Sequence, residues 1–196
     1  RSLLAEFGVV IAVGRYRFRQ QIGAALDDPR VPELARQVLH EVNARIRALD
    51  EDILAYDRRI SAQVRDSAAM QRIVAVCGVG PVTASAVVAS VGDAKLFRNG
   101  RQFAAWLGLV PRQFSTGGKP VLGRITKQGD VYLRTLLIHG ARAVVRTAAG
   151  KTDARSDWIN RLRQRRNKNI AAVAVANKNA RIAWALMSKD SDYQPG

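Results

Sequence analysis

The sequence contains a single cysteine, Cys77, among its 196 residues. One thiol excludes an internal disulfide framework and a zinc site built from several cysteines. The surrounding stretch, "IVAVCGVG", is small and apolar, so we expect Cys77 to pack as a small buried hydrophobic side chain. This cysteine usage fits a reducing compartment, and we expect a cytoplasmic location.

Acidic residues are scarce in the second part of the chain. Residues 71–189 hold 21 Lys or Arg and four Asp, a net charge of +17, whereas residues 1–70 are nearly balanced at +1. Such an excess of positive charge repels itself unless a polyanion lies against it, and nucleic acid is the most frequent partner. An anionic membrane surface or an acidic protein is the alternative partner.

The four acids of this basic region are scattered rather than paired; they are Asp93, Asp130, Asp153 and Asp157. Two-metal catalysis requires carboxylates that converge on one site. We therefore expect no metal site and no cofactor in this chain, and we do not expect an autonomous metal nuclease.

One uncharged run, residues 73–92, has the nominal length of a transmembrane helix at 20 residues. Its centre reads "GVGP", and glycine and proline at that point would interrupt a lone helix in lipid. We therefore predict two short buried helices joined by a turn, and no association with a membrane.

The turn in that run resembles a helix-hairpin-helix motif, because Gly78, an apolar residue and Gly80 precede a helix of small residues. Glycines allow a tight turn, which exposes backbone N–H groups at the start of the second helix. Such amides bind a DNA phosphate without reading the base sequence. A hairpin that packs in the core without contacting nucleic acid is the alternative.

The hydrophobic periodicity predicts a long helix over residues 31–69, beginning near Glu33. Apolar residues recur there at alternating spacings of three and four, which is a coiled-coil register. The seam consists of Leu39, Val42, Ile46, Leu49, Ile53, Tyr56 and Ile60. The pattern favours self-association into a homo-oligomer, a dimer or a tetramer, and burial against a neighbouring helix of the same chain is the alternative.

The fold class that these patterns predict is mainly α. A long coiled-coil helix is followed by a compact helical domain that contains the helix-hairpin-helix-like motif, and we expect no convincing long strand. We divide the chain into an N-terminal linker or helix remnant (1–30), the long helix (31–69), the basic domain (70–189) and a tail (190–196).

Residues 111–134, "PRQFSTGGKPVLGRITKQGDVYLR", combine two hydroxyl groups with glycines and cations. Ser115 and Thr116 precede two glycines, which allow a phosphate to approach the backbone closely. The basic residues available to neutralise that phosphate are Arg112, Lys119, Arg124, Lys127 and Arg134. By residue chemistry alone, this pattern is compatible both with a phosphate-binding loop and with a loop that carries a serine nucleophile.

Further cations lie on the helices that follow. Arg142 is expected to share a helix face with His139, for which a structural role and a role as general acid are both open. Arg165 and Lys168 belong to a basic run before an Ala-rich helix, a position that suits phosphate binding, with a solvated basic face as the alternative. The candidate nucleic-acid ligands outside the serine segment are thus Gly78, Gly80, Arg142, Arg165 and Lys168.

The order of several motifs resembles that of the IS110 family of insertion-sequence transposases, also known as DEDD transposases and as bridge-RNA-guided recombinases. The segment "LVPRQFSTGGKPVLGRITKQGDVYLRTLLIHGARAVV" is similar to the C-terminal signature of that family. The segments "GVGPVTASAVVASVGD", "FRNGRQFAAWLGL" and "NKNIAAVAVANKNARIAWAL" are similar to other parts of it, in the same order. The resemblance is close over roughly residues 70–187 and looser over "LLAEFG" and the long helix.

The resemblance implies a DNA recombinase with two catalytic parts. A RuvC-like domain with four acids is implied to hold Mg²⁺, and a C-terminal domain is implied to carry a serine that becomes covalently linked to DNA. The family segment "PRQ-x-S-[ST]-GGK" places that serine at Ser115 in this sequence. The implied partners are DNA and a structured guide RNA, the bridge RNA, and the coiled coil is implied to help assemble dimers or tetramers.

The resemblance also implies a RuvC-like domain before "LLAEFG", and this sequence does not include one. We therefore expect the chain to be a fragment that binds nucleic acid but is not active alone. The alternative function is a non-catalytic helix-hairpin-helix module that binds DNA or RNA. A covalent DNA adduct that depends on Ser115 separates the two hypotheses, because only the recombinase forms one.

Overall fold

The computed structural model describes residues 1–116 and 119–194, with the side chains at positions 115, 116, 119 and 120 left out of the description. The described chain is mainly α-helical, as predicted, with one small sheet of two strands. It divides into two compact units, residues 1–58 and 59–196. The helices are α1 (Ser2–Glu6), α2 (Arg15–Leu26), α3 (Glu33–Asp66), α4 (Ala68–Val74), α5 (Pro81–Val91), α6 (Gly100–Trp106), α7 (Val131–Thr147), α8 (Ala154–Arg165) and α9 (Lys168–Lys189).

The first unit contains α1, α2 and the greater part of α3, and it has its own apolar core. The buried residues of that core are Leu4, Val9, Ile11, Ile22, Ala25, Leu26 and Val31. Arg30 fastens two loops of this unit, since its Nη1 donates to the Gly8 carbonyl at 2.8 Å and its Nη2 donates to Asp28 at 2.8 Å. The hydrogen bonds from Arg30 lower the pKa of Asp28 from 3.8 to about 2.

The long helix α3 begins at Glu33, where the sequence predicted it, and ends at Asp66. Most of its heptad seam is exposed, including Leu49 at 60%, Ile53 at 50% and Tyr56 at 60%. Only the start of the seam packs within the chain's first unit, where Leu39 lies against the core. The apolar stripe of α3 therefore extends beyond the part of the helix that contacts the core of the first unit.

The second unit is built around α7 and α9, which α4, α5, α6 and α8 surround. Its core contains larger side chains such as Phe103, Leu133 and Leu137 together with a row of alanines on α9. The alanines let neighbouring helices approach α9 closely, so that a Cβ added to Gly100 on α6 would lie 3.1 Å from the Arg181 Cα. This close packing fixes the positions of the segments that carry the candidate site.

The uncharged run comprises the last two residues of α4, a turn and α5, which confirms the predicted break at "GVGP", although α4 begins before the run, at Ala68. Among the described residues, no helix is long and apolar enough to cross a membrane. The prediction for Cys77 was wrong, because this side chain is exposed. Cys77 lies in the turn between the two helices, where its backbone carbonyl rather than its thiol faces neighbouring helices.

The serine segment is a β-hairpin, which corrects the expectation of a loop. Strand β1 (Pro111–Thr116) pairs antiparallel with β2 (Lys119–Ile125), and Ser115 lies opposite Pro120. Thr116 pairs with Lys119, and the two glycines between them lie outside the described residues. The strands are short, and the chain remains mainly α.

Candidate nucleic-acid interface

A β-bulge brings the two arginines of the hairpin to opposing positions. Pro111 pairs with Ile125 and Gln113 with Leu122, so two residues of β2, Gly123 and Arg124, oppose the single residue Arg112 of β1. A bulge increases the local twist and redirects the side chains beside it. The fold thus brings Arg112 and Arg124 together, although they are twelve positions apart in the sequence.

The surface of the hairpin combines positive charge with apolar side chains. Arg112, Arg124 and Lys127 are all exposed. Phe114 is 61% exposed and Leu122 is 64% exposed, so both apolar side chains face solvent beside the cations. Apolar side chains beside cations match the two faces of a nucleic acid, namely the bases and the phosphates.

The predicted nucleophile lies on β1, one pair from the turn of the hairpin. The backbone of Ser115 is in the sheet, whereas the side chains of Ser115 and Lys119 lie outside the part of the chain that the structure describes. Their roles as nucleophile and phosphate ligand therefore stay predictions. The strand assignment alone puts Ser115 three residues from Arg112 on the same strand.

Arg134 occupies a different place from the one predicted. Its side chain is buried, with 8% of the residue exposed, and its Nη1 donates to the carbonyls of Leu107 at 3.1 Å and Gln128 at 3.2 Å. A guanidinium committed to backbone carbonyls inside the fold does not face solvent, so the position does not fit a phosphate ligand. Arg134 instead ties the segment before β1 to the segment after β2.

Two glycines complete this closure at the base of the hairpin. Gly108 has φ +68°, and a Cβ there would lie 2.1 Å from the Gln128 carbonyl oxygen. Gly129 has φ +86°, and a Cβ there would lie 1.8 Å from the Trp106 carbonyl oxygen. Both positions require glycine, because the backbones touch and φ is positive. The base of the hairpin is therefore held by backbone contacts and by the Arg134 guanidinium.

The two glycines of the turn between α4 and α5 have different roles. Gly78 has φ +88° and packs against α7, where a Cβ on the facing Gly140 would lie 1.8 Å from the Gly78 carbonyl oxygen. Gly80 is exposed and directly precedes α5, with open space around its Cα and Pro81 as the first helical residue. Gly80 thus suits an approaching phosphate, whereas Gly78 serves the packing of the turn.

The same turn is anchored from the other side by a polar network. Asn179 is fully buried on α9, and its Nδ2 donates to the Cys77 carbonyl at 3.1 Å. Arg155 on α8 donates to the same carbonyl at 3.3 Å and also hydrogen bonds to the Asn179 side chain. Buried polar groups that satisfy one another make a turn rigid. The exposed start of α5 is therefore held in place by three other helices.

The remaining candidate cations lie on exposed surfaces of the same unit. Arg142 is exposed on α7, on one face with His139 and Arg146, as the spacing predicted. Arg165 is the last residue of α8 and Lys168 the first of α9, so both flank one short turn and both are exposed. The fold places Arg165 and Lys168 at the two ends of one short connection, and Arg142 lies on a different helix, α7.

The scarce acids of the basic region stand at the beginnings of helical segments. Asp130 accepts a hydrogen bond from the Leu133 amide at 2.9 Å and caps α7, and Asp93 caps a short 3-10 turn through the Lys95 amide at 2.8 Å. Asp153 caps α8, and hydrogen bonds from the Ser156 hydroxyl and amide lower its pKa. Carboxylates at helix N-termini stabilise the helix ends.

Within the described residues, no group of three or more His, Cys, Asp or Glu side chains is placed to hold a metal ion. Sequence reasoning also missed one cluster, in which Trp158 and Trp184 lie beside three cations from α6 and α9. The members of this cluster are far apart in the sequence. The sequence shows that aromatic and basic residues are present, but it does not show that they meet.

Comparison with known proteins gives this geometry a family context. Residues 70–157 match the family described as "Transposase IS116/IS110/IS902 family". The whole chain is 54% identical to a "Probable family 20 transposase" of Pseudomonas aeruginosa and 44% identical to the "Transposase for insertion sequence element IS1111A" of Coxiella burnetii. It is also 32% identical, across 98% of its length, to the "Transposase for insertion sequence element IS1328" of Yersinia enterocolitica.

The chain spans 59%, 54% and 57% of the lengths of these three relatives, which is a little over half of each protein. The family match covers α4 to the start of α8, and so includes the α4–α5 turn and the hairpin. These similarities relate the chain to part of an insertion-sequence transposase of the IS116/IS110/IS902 family.

Proposed function

We propose that this chain is the part of an insertion-sequence transposase that engages DNA and supplies its serine nucleophile. The observation that carries the proposal is the hairpin, which joins Ser115 to a surface with exposed Arg112, Arg124 and Lys127 in a region related to known transposases. Cations that surround a reacting phosphate stabilise the negative charge that develops in its transition state.

The proposed step is a transfer of one phosphodiester bond. The Ser115 Oγ attacks a DNA phosphorus, an Oγ–P bond forms, and the bond from phosphorus to the 3′-oxygen breaks. The proton lost by the serine hydroxyl is balanced by the proton gained by the 3′-oxygen, which leaves as a 3′-hydroxyl. The phosphoserine conserves the bond for the later joining step. Arg112 and Arg124 bind the phosphate, and Lys127 and Lys119 add positive charge.

Mg²⁺ belongs, in this proposal, to the RuvC-like domain that the family resemblance implies. The described side chains of this chain do not form such a site. We therefore assign this chain the serine, the phosphate-binding cations and the positioning of both. Activity is proposed for the longer protein, and nucleic-acid binding without turnover for the chain alone.

We also propose a guide RNA and self-association through α3. The RNA proposal is supported by the net charge of +17 on residues 71–189 together with the motif resemblance. Self-association is supported by the exposed seam of α3, in which Leu49 and Ile53 keep half or more of their surface in solvent.

The serine proposal is tested by a covalent DNA adduct in the longer protein that contains this chain. The protein, its guide RNA and donor DNA are incubated, and the adduct is resolved on a denaturing gel. We expect Ser115→Ala to abolish the adduct and Thr116→Ala, the neighbouring hydroxyl, to retain it. An undiminished adduct in Ser115→Ala contradicts the assignment.

A second candidate is a non-catalytic module that binds DNA through the exposed start of α5 together with the basic surface of the β-hairpin. It is favoured by the open space at Gly80 and by the absence of acidic residues from the first turn of α5. This candidate predicts that Ser115→Ala leaves recombination intact, while Arg112→Gln and Arg124→Gln weaken binding. Each lost phosphate contact is then expected to reduce the slope of log affinity against log salt by about 1.

A further inference from the structure

A groove of about 700 Å³ lies among α6, α8 and α9, and the hairpin does not contribute to it. Two tryptophans and three cations line it, namely Trp158, Trp184, Arg101, Lys178 and Arg181. None of its lining residues is acidic. The groove therefore combines aromatic surface with uncompensated positive charge.

The walls of the groove are fixed by packing and hydrogen bonds. The Trp184 Nε1 donates to the Ala94 carbonyl at 3.0 Å, which orients the indole. The Asn99 side chain accepts hydrogen bonds from the Arg101 and Gln102 amides at 3.0 Å each and so holds the start of α6. The groove is consequently formed before any ligand arrives, which lowers the entropic cost of binding.

Lys178 lies against the half-buried ring of Trp158. Its Nζ lies 4.8 Å from the centroid of the Trp158 ring, a cation–π contact. The lysine side chain is exposed, and its stem has several rotatable bonds, so another group can displace the ammonium from that ring face. A planar base can replace it on the ring and leave Lys178 free to bind the adjoining phosphate.

We propose that this groove binds an unpaired nucleotide of a single-stranded nucleic acid. The base stacks on Trp158, while Arg101, Arg181 and Lys178 contact the flanking phosphates. Alternating aromatic rings and cations are how proteins bind single strands without sequence preference. A duplex keeps its bases stacked internally and offers the ring no partner, so a single strand is favoured. The inference depends on the proposed function in one respect, namely that the ligand is a nucleic acid.

The proposal is tested on the full chain with fluorescent oligothymidylate, oligouridylate and a duplex of equal length, by anisotropy. We expect Trp158→Leu to weaken binding of both single strands about tenfold, the effect of one lost stacking contact, and to leave duplex binding within about twofold. Arg163→Gln, an exposed cation of α8 outside the groove, is the matched control and should leave the single-strand preference unchanged. Stronger binding of oligouridylate than oligothymidylate assigns the strand to RNA, and the reverse order assigns it to DNA.

Photocrosslinking of the unaltered chain to 5-iodouracil oligonucleotides tests the groove without any substitution. Adducts on Trp158 or Trp184 support the proposal, whereas adducts confined to the hairpin or to Trp106 overturn it. Equal losses of single-strand and duplex affinity in Trp158→Leu also overturn it, as does displacement of the strand by an acidic peptide that binds more tightly. The two proposals fail independently. A negative result for the groove does not bear on the Ser115 adduct, and loss of the Ser115 adduct does not bear on binding in the groove.

Discussion

Gly78 and Gly140 touch through their backbones, and this contact seats the α4–α5 turn on α7. A Cβ at Gly140 would lie 1.8 Å from the Gly78 carbonyl oxygen, so backbone rather than a flexible side chain would have to move. The sequence indicated a tight turn at Gly78 but gave no sign of its partner. Gly140 lies within a stretch that the sequence predicts to be helical, and the sequence does not explain why a glycine is needed there.

We expect Gly140→Ala to destabilise the chain by about 1–3 kcal/mol, the usual cost of overpacking. That cost outweighs the roughly 1 kcal/mol by which alanine is the better residue within a helix. Denaturant unfolding measures the difference. Gly150→Ala is the control, since its added Cβ meets no atom within 4 Å, and it should stay within about 0.5 kcal/mol of the unaltered chain. Equal stability of both variants contradicts the contact.

Arg134 is the residue whose role the sequence misassigned. Its position beside other cations favoured a phosphate ligand, but the helix turns it inward onto the carbonyls of Leu107 and Gln128. Charge in a sequence does not reveal which side of a helix faces the core. Spacing comes closer, because Arg134 directly follows the buried Leu133 and lies three positions before the buried Leu137.

Arg134→Met should therefore reduce stability by about 1.5–3 kcal/mol, because the hydrogen bonds of a charged donor are lost within the fold. Arg142→Met removes an exposed arginine from the same helix and should change stability by less than about 0.5 kcal/mol. Thermal and denaturant unfolding of the two variants make the comparison. The account fails at this position if Arg142→Met proves to be the more destabilising.

Asp28 gives a prediction about pH in the first unit. Hydrogen bonds from Arg30 lower its pKa from 3.8 to about 2. Because the folded pKa is depressed, the stabilisation is complete above the ordinary pKa and is lost as the pH falls from about 4 towards 2. A carboxyl NMR titration should give a midpoint near 2 for Asp28, moving towards 3.8 in Arg30→Ala. An unchanged midpoint in that variant contradicts the cause.

At the scale of elements, periodicity predicted the helices and missed the hairpin. The start of α3 at Glu33 followed from apolar spacing, and the break between α4 and α5 followed from the positions of glycine and proline. The hairpin strands lack clean alternation, and Pro111 and Pro120 argue against a regular strand. The two glycines between Thr116 and Lys119 were the available hairpin signal, since such pairs suit two-residue turns. They were interpreted instead as a phosphate-binding loop.

The exposed seam of α3 predicts association of the chain with itself. Leu49→Lys places a charge at a seam position and should shift the population towards single chains. Glu51→Lys adds the same side chain at the heptad position farthest from the seam and should leave the mass unchanged. Sedimentation equilibrium measures both. A single-chain mass for the unaltered protein would contradict self-association through the seam.

At the scale of the whole molecule, charge is divided along the chain. Residues 1–70 are nearly neutral and residues 71–189 carry +17. Three of the four acids of the basic region cap helical segments, and the fourth, Asp157, lies in the first turn of α8. Composition predicted a nucleic-acid-binding region, whereas the proposed roles of the hairpin, the turn and the groove depend on the fold.

The central claim is that the hairpin presents Ser115 to a DNA phosphate. The most direct measurement is mass spectrometry of the covalent adduct formed by the longer protein with its guide RNA and donor DNA, after nuclease trimming and proteolysis. We predict a nucleotide phosphate attached to the peptide of β1 at Ser115. Attachment at any other residue, or efficient strand joining with no protein-linked intermediate, would contradict the account.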